Sequence, residues 1–134
     1  MKYVLDACAL IAYLRKEKGG EVVRDMLLES TNQCSIHSLN LCEVYYDFER
    51  YAGLAVADEV IEIVNELGID IIRDMDEALW KQAGHIKAII KRISLADSFA
   101  ISLAFRLKAV LVTTDHKEFD KIDKEKICKV LFIR

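Results

Sequence analysis

Short apolar runs alternate along this chain with longer segments whose apolar positions recur at the helical period. The short runs predict β-strands at residues 2–5, 33–37, 69–72, 110–113 and 129–133. The periodic segments between them predict helices at residues 7–16, 21–29, 38–51, 55–67, 76–92 and 95–107. Glycines separate several of these elements, and Ser38 and Ser94 are placed to cap helices.

Alternating strands and helices predict an α/β fold, a three-layer sandwich with a central, mainly parallel sheet flanked by helices. A length of 134 residues, with no proline and no low-complexity linker, predicts a single domain over residues 1–134. In such sheets, functional sites form beyond the carboxyl ends of the strands. That edge of the sheet is therefore where catalytic residues are expected.

The composition, with 53% hydrophobic and 31% charged residues, provides enough apolar material for a core and excludes a disordered chain. No apolar run is long enough to span a membrane, and Asp6 ends the first run too early for a signal peptide. A cytoplasmic protein without membrane association is expected. The net charge of −3 argues against binding nucleic acid by bulk electrostatics, but it leaves room for an enzyme that reaches phosphate through a metal ion.

Four cysteines are present, at positions 8, 34, 42 and 128, without a C-x-x-C pair or zinc-finger histidines. Each lies in an apolar stretch of the sequence. Four reduced, buried thiols that act as small hydrophobic side chains are the expectation.

Four acidic residues are placed where chemistry is expected. Asp6 directly follows the first strand, and Asp115 follows the fourth. Asp97 lies one turn into its helix on the face that carries the core residues, and Glu43 lies early in the helix after the second strand. Taken singly, each has a structural explanation. Asp6 could cap a helix, Asp115 could cap a turn with Glu118, Ser94-Leu-Ala-Asp97 matches a capping box, and Glu43 could be solvated.

The four acids together are harder to explain structurally. If they converge within about 4–6 Å, each pair of charges costs roughly 4 kcal/mol at an effective dielectric of 20, so a cation is needed. Carboxylate oxygens are hard donors that favour Mg²⁺ or Mn²⁺ over zinc or copper. Hydrolysis of a phosphodiester through metal-activated water follows naturally, although this reasoning alone also allows other metal-assisted phosphoryl chemistry.

At these residues the sequence resembles PIN domains, and most of all the VapC-type ribonuclease toxins of toxin–antitoxin pairs. The resemblance rests on four motifs in matching order and spacing, which together cover essentially the whole chain. They are residues 4–12 (VLDACALIA), 41–45 (LCEVY), 94–104 (SLADSFAISLA) and 111–119 (LVTTDHKEF). The resemblance implies Mg²⁺- or Mn²⁺-dependent endoribonuclease activity on RNA, a homodimer, and a partner antitoxin protein that blocks the site.

The resemblance also implies roles for particular residues. Asp6, Glu43, Asp97 and Asp115 fall on the four acidic catalytic positions of the family, with Asp6 and Asp97 as the principal metal ligands. Thr113 falls where the family often has a hydroxyl that orients the site. Cys8 departs from the pattern, because the family commonly has serine or threonine there and a thiol is a poorer hydrogen-bond partner.

Several further residues have two interpretations each. Asp120 could join the site and His116 could shuttle a proton, but surface positions are favoured for both, as for Asp123. Aromatic side chains could stack on bases, although packing is favoured for them; they are Trp80, Tyr45 and Tyr46. The basic residues nearest in sequence to the proposed ligands are candidates for a rim that holds RNA; they are Lys91, Arg92 and Lys117.

Other functions remain open at this point. A PIN-fold nuclease of RNA processing would need no antitoxin, and a non-catalytic module could bind RNA or protein. A phosphate-handling α/β enzyme of another kind is disfavoured, because neither G-x-x-x-x-G-K-[ST] nor G-x-G-x-x-G occurs. Phosphatases with an acid two residues after the first aspartate are also disfavoured, since that position is Cys8.

Overall fold

The structure, a computed structural model, describes residues 1–124 and 127–134, with the side chains at positions 118, 121, 123 and 124 outside that description. The sequence predictions for Glu118 and Asp123 therefore concern side chains that lie outside this description. The elements in chain order are β1 (Lys2–Leu5), α1 (Ala7–Leu14), α2 (Gly20–Leu28), β2 (Gln33–His37), α3 (Ser38–Ala52), α4 (Leu54–Glu66), β3 (Asp70–Ile72), α5 (Glu77–Ile89), α6 (Leu95–Leu107), β4 (Val110–Thr113), α7 (His116–Lys124) and β5 (Val130–Phe132).

The strands form one sheet in the order β3-β2-β1-β4-β5, and every pairing of neighbours is parallel. The chain starts in the centre, builds outward through β2 and β3, and then returns to add β4 on the other side of β1. The direction of building therefore reverses between β1 and β4, where Tyr3 pairs with Val110 and Leu5 with Val112. Such a reversal leaves a crevice at the carboxyl ends of the two strands.

Helices cover both faces of the sheet, which confirms the predicted three-layer sandwich. Side chains alternate between the faces along each strand, so Leu5 and Val4 enter different cores. Leu5 packs with α1 to α4, in a cluster that includes Leu10 and Val44. Val4 packs with α5, α6 and α7, in a cluster that includes Ile101. The sheet is thus held from both sides, and its carboxyl edge is a rigid platform.

The sequence did not predict α7, and it made α5 too long. Only two apolar side chains of α7 that the structure describes, Phe119 and Ile122, reach the core, but both are fully buried. Two buried apolar residues in an otherwise charged segment give too weak a helical periodicity to predict a helix from the sequence. At the end of α5, Ile90 leaves helical geometry and the Lys87 ammonium donates to the Ile93 carbonyl (2.7 Å), which closes the turn early.

The four cysteines were predicted to be buried, and this is wrong for two of them. Cys34 is buried and Cys128 is half-buried, whereas Cys8 and Cys42 are exposed; none of the four is in a disulfide. Apolar sequence neighbours misled the prediction, because successive positions of a helix point in different directions. The part of the chain that the structure describes contains no helix with the length and hydrophobicity needed to cross a bilayer.

Gly19 and Gly20 bring α2 into close contact with α1 and with the residue that follows β5. Gly19 has a φ of +93°, and an added Cβ there would lie 2.5 Å from the Ile133 carbonyl oxygen. At Gly20 an added Cβ would lie 2.5 Å from the Ala12 carbonyl oxygen. Both contacts involve backbone, which cannot rotate away as a flexible side chain can.

We expect Gly20→Ala to lower the free energy of unfolding by about 1–3 kcal/mol, because the new methyl group must displace the α1 backbone. Gly84→Ala is the matched control. An added Cβ at Gly84, inside α5, meets nothing within 4 Å, so the gain in helix propensity should raise stability by about 1 kcal/mol. Urea unfolding measures both changes. A Gly20→Ala variant as stable as the native chain would show that α1 and α2 do not pack this closely.

Candidate active site

Asp6 is fixed at the end of β1 by the start of the next helix. Its backbone N–H donates to the Val112 carbonyl of β4 (3.1 Å), and its Oδ1 accepts the N–H of Ala9 (2.8 Å). The capping interpretation of Asp6 is therefore correct, and the side chain is 1% exposed. Capping does not compete with a catalytic role, because it holds the carboxyl group at the carboxyl edge of the sheet.

Thr113, the last residue of β4, connects two of the acids. Its side chain is fully buried, and its hydroxyl accepts the backbone N–H of Asp115 (3.0 Å). The same hydroxyl is hydrogen-bonded to the Asp6 carboxyl group. A hydroxyl has one hydrogen to donate, so Asp6 receives it and Asp115 supplies the N–H. Thr113 thus supports Asp6 directly, although Cys8 stands where a hydroxyl was expected.

Burial raises the pKa of the Asp6 carboxyl group to about 7. The hydrogen bonds from Thr113 and Ala9 oppose this rise, while the negative charges of Asp97 and Asp115 add to it. Desolvation of the sulfur raises the pKa of the Cys8 thiol to about 12, although the residue as a whole is exposed, and the negative charges of Asp6 and Asp97 add to the rise. The structure therefore brings Asp6, Asp97 and Asp115 into one electrostatic group, with the Cys8 thiol beside it.

Asp97 reaches this group from the first turn of α6. Ser94 caps the helix, and its Oγ accepts the backbone N–H of Asp97 (3.0 Å). The next serine, Ser98, is fully buried and donates its hydroxyl to the Leu95 carbonyl (2.6 Å). Two serines thus fix the first turn of α6. Asp97 is half-buried, between the core face and the crevice.

Glu43 lies on α3 and is held near α6 by a residue that the sequence analysis missed. Asn40, one turn before Glu43, is fully buried, and its side-chain N–H donates to the Ala96 carbonyl (3.2 Å). This bond ties α3 to the residue preceding Asp97. A polar residue among the apolar positions Leu39, Leu41 and Val44 was the signal that could have identified it.

The structure does not place Glu43 in the electrostatic group of the other three acids. Burial raises the pKa of its carboxyl group, and the cause is desolvation rather than a neighbouring carboxylate. Its Oε1 is buried and has no hydrogen-bond partner within the described residues. A buried carboxylate oxygen without a donor is destabilising unless a proton or a cation compensates it.

The oxygen atoms of these residues are the kind of ligand that a divalent cation prefers. In the described chain, however, they do not surround a single point as a complete set of metal ligands. Among residues 1–124 and 127–134, no group of three or more histidine, cysteine, aspartate or glutamate side chains is positioned to hold a metal ion. The available donors are hard oxygens, including the buried carboxyl group of Asp6 and the unpartnered Oε1 of Glu43. Mg²⁺ and Mn²⁺ prefer such donors, and a cation would favour their ionised forms.

His116 and Asp120 belong to the surface of α7. The His116 Nε2 donates to the Arg134 carbonyl (2.8 Å), and the ring stacks on Phe132 with centroids 4.1 Å apart. Its Nδ1 lies 3.4 Å from Oδ1 of Asp120, and both side chains are more than half exposed. The contacts of His116 thus favour the surface interpretation over a proton shuttle.

The candidate RNA-binding residues are all at the surface. Lys91 and Arg92 are exposed in the connection between α5 and α6, and Lys117 is exposed in the first turn of α7. Among the aromatic candidates, Trp80 and Tyr46 are 46% and 42% exposed. The remaining one, Tyr45, is half-buried and donates its hydroxyl to Asp58 (2.8 Å).

Comparison with known proteins agrees with this geometry. A family model described as PIN domain matches residues 3–125. No protein of curated function matches the sequence. Among solved structures, a DNA-bound VapBC from Salmonella typhimurium matches with a TM-score of 0.76 and 19% identity over 100% of this chain and 99% of that one. VapBC-1 from nontypeable Haemophilus influenzae matches with a TM-score of 0.75 and 20% identity over 99% and 98%.

A third solved structure with the same fold is Mycobacterium tuberculosis VapC20, described as a toxin that cleaves the sarcin-ricin loop. It has a TM-score of 0.71 and 12% identity, with 89% of this chain and 94% of that one covered. At these identities the three likenesses show a shared fold.

The buried Asp6 should make the metal-free protein less stable as the pH rises. Between its ordinary pKa near 3.8 and its folded value of about 7, Asp6 is protonated when folded and ionised when unfolded. Stability is therefore lost across that window, by roughly 3 kcal/mol between about pH 5 and about pH 8. Urea unfolding in EDTA measures this loss.

Asp6→Asn is the matched control for this effect. Asparagine can still cap α1 and accept from Thr113, but it has no charge to bury. The variant should lose roughly 3 kcal/mol less than the native chain over the same pH range. Equal pH dependence in the two proteins would show that Asp6 is not desolvated in solution.

Proposed function

We propose, from the premise that this chain belongs to the PIN-domain family, that it is a Mg²⁺- or Mn²⁺-dependent endoribonuclease. One observation carries the proposal. The carboxyl groups of Asp6, Asp97 and Asp115 come from three distant parts of the sequence and raise each other's electrostatic energy at the crevice between β1 and β4. A group of acids this destabilising is expected at a functional site rather than as a structural device.

Asp6 and Asp97 are the principal metal ligands in this proposal, and Glu43 and Asp115 complete the donor set. When bound, a divalent cation lowers the pKa of water and offsets the negative charge of the phosphodiester. Among these donors, Oε1 of Glu43 is buried and has no hydrogen-bond partner within the described residues, so a cation is the partner proposed for it.

The other residues of the site act by positioning. Thr113 holds the Asp6 carboxyl group and the Asp115 backbone through one hydroxyl. Asn40 fixes α3, and with it Glu43, against the start of α6. In this proposal Lys91, Arg92 and Lys117, which are exposed and close in sequence to the acids, neutralise RNA phosphates that a carboxylate cluster alone would repel.

We further propose that the protein is the toxin of a toxin–antitoxin pair. The Salmonella typhimurium and Haemophilus influenzae structures are VapBC complexes, and the Mycobacterium tuberculosis toxin cleaves RNA. Their shared fold supports RNA as the substrate and an antitoxin protein as the partner. In this proposal the protein acts in the cytoplasm. The proposal also includes a homodimer, in which a second copy would cover exposed apolar side chains of α5 and α6 such as Trp80, Ile89 or Leu95.

Asp97→Asn should lower the rate of Mg²⁺-dependent RNA cleavage by on the order of 100-fold or more, because it removes a principal ligand while leaving the Ser94 cap intact. The measurement is cleavage of labelled RNA with Mg²⁺ and with EDTA, with circular dichroism to check the fold. Asp25→Asn changes the same charge on exposed α2 and should cleave like the native chain. Unchanged cleavage by Asp97→Asn would reject the site.

Measurements on the native chain test the proposal as well. If it binds Mg²⁺ in a calorimetric titration but cuts no cellular RNA, the nuclease proposal fails. If it neither binds the ion nor cuts RNA, a non-catalytic binding module is the better description. A small reading frame directly upstream, whose product blocks cleavage, would support the toxin over an RNA-processing nuclease.

Thr113→Val should lower cleavage by about 10- to 100-fold and weaken Mg²⁺ binding, because both partners of its hydroxyl lose their hydrogen bond. The stability loss should be about 1–3 kcal/mol. Thr113→Ser restores the hydroxyl and should recover most of the activity. A valine variant with native Mg²⁺ affinity and native cleavage would show that Thr113 is only a core residue.

A further inference from the structure

A second concave surface lies at the opposite edge of the sheet from the acidic site. It forms where β1, β4 and the segment before β5 begin, beside the end of α6, and it encloses about 440 Å³. Three lysines and two large apolar side chains contribute to its lining: Lys2, Lys108, Lys129, Met1 and Phe105. We call this surface the lysine pocket.

The lysine pocket is basic, although the chain as a whole carries a net charge of −3. No acidic side chain lines it among the described residues. Tyr3 pairs with Val110, and the Leu111 N–H donates to the Lys129 carbonyl (2.9 Å), so Lys2 in β1 and Lys129, the residue before β5, lie on either side of the start of β4. Their backbones are therefore about 10 Å apart, two strand spacings.

The lysines have only a partial structural explanation. Lys108 ends α6 with a φ of +53°, and its N–H donates to the Phe105 carbonyl (3.2 Å). A cation at a helix carboxyl end is stabilised by the helix dipole, which accounts for Lys108. Lys2 lies in β1 and Lys129 directly precedes β5, so that account does not extend to them.

Phe105 gives the lysine pocket an aromatic surface as well as charge. Its side chain is 55% exposed, and that of Met1 is 67% exposed. An exposed aromatic ring stacks on a nucleobase, while neighbouring ammonium groups bind phosphate. An acidic peptide would use the lysines but would leave Phe105 without a matching group.

We propose that the lysine pocket binds a nucleotide of a single-stranded RNA segment, with Phe105 against the base and Lys2, Lys108 and Lys129 near the phosphates. This inference rests on the proposed function in one respect, which is that the RNA is the substrate. The strand β1 separates the lysine pocket from Asp6 by about 13 Å. The pocket therefore holds a part of the RNA several nucleotides from the bond that is cut.

RNA binding without cleavage tests the pocket directly. Fluorescence anisotropy with a labelled, unstructured RNA in EDTA gives the Kd at several salt concentrations. Replacing Lys2, Lys108 and Lys129 by glutamine should weaken binding by at least about tenfold and reduce the salt slope by about 2, since each phosphate contact contributes roughly 0.7. Phe105→Ala should weaken binding several-fold without changing the slope, and Phe105→Trp should restore it.

A matched variant controls for net charge. Lys18→Gln, Arg73→Gln and Lys81→Gln together remove the same three charges from exposed positions outside the lysine pocket, and they should change the Kd and the slope far less. Equal effects of the two triple variants would overturn the proposal. Displacement of the RNA by an oligoglutamate peptide, or by AMP as effectively as by unlabelled RNA, would overturn it as well.

Cleavage separates this inference from the proposed function. With Mg²⁺, the glutamine variant of the lysine pocket should cut a trinucleotide at the native rate but show a raised KM, at unchanged kcat, for a long RNA. A native chain that cuts no RNA would reject the proposed function, while the anisotropy result would still decide the lysine pocket. If the glutamine variant and the native chain have the same KM for the long RNA, the RNA segment bound in the lysine pocket is not part of the substrate that is cut.

Discussion

The site depends on one unfavourable interaction, the burial of the Asp6 carboxyl group beside two other acids. Desolvation is the largest influence on this group, and it outweighs both hydrogen bonds that favour the charged form. The fold can hold the group there because both parts of the residue are fixed: its backbone N–H donates to the Val112 carbonyl, and its side-chain Oδ1 accepts the N–H of Ala9. An acid that is not constrained in this way would turn toward solvent.

The sheet order explains why three such acids meet at all. Because the chain adds strands on one side of β1 and then on the other, the ends of β1 and β4 become neighbours although more than a hundred residues separate them. Asp6 and Asp115 each follow one of these strands, and Thr113 bridges them. Asp97 is supplied by α6, the helix that leads into β4, so the same crossover delivers the third acid.

Much of this could be predicted from sequence, because the strands and most helices follow from apolar periodicity, and Asp6 and Asp115 come just after strands. Other features depend on tertiary packing that no local pattern contains. The helix α7 exists because Phe119 and Ile122 find a core to enter. Asn40 matters because Ala96, distant in sequence, presents a carbonyl to it. Glu43 was grouped with the other acids by its motif, yet its raised pKa comes from burial alone.

The net charge of −3 looks unfavourable for the RNA binding proposed here, but net charge does not describe how charges are divided between the two edges of the sheet. Here the carboxyl edge carries Asp6, Asp97 and Asp115, and the amino edge carries Lys2, Lys108 and Lys129. The edges are about 13 Å apart along β1, and between groups exposed to solvent this distance exceeds the Debye length of about 8 Å at physiological salt, whereas the buried Asp6 is screened less. An RNA strand at either edge therefore responds mainly to the charges of that edge. The proposed cation at the acidic edge and the proposed phosphate contacts at the lysine edge are therefore compatible within one acidic chain.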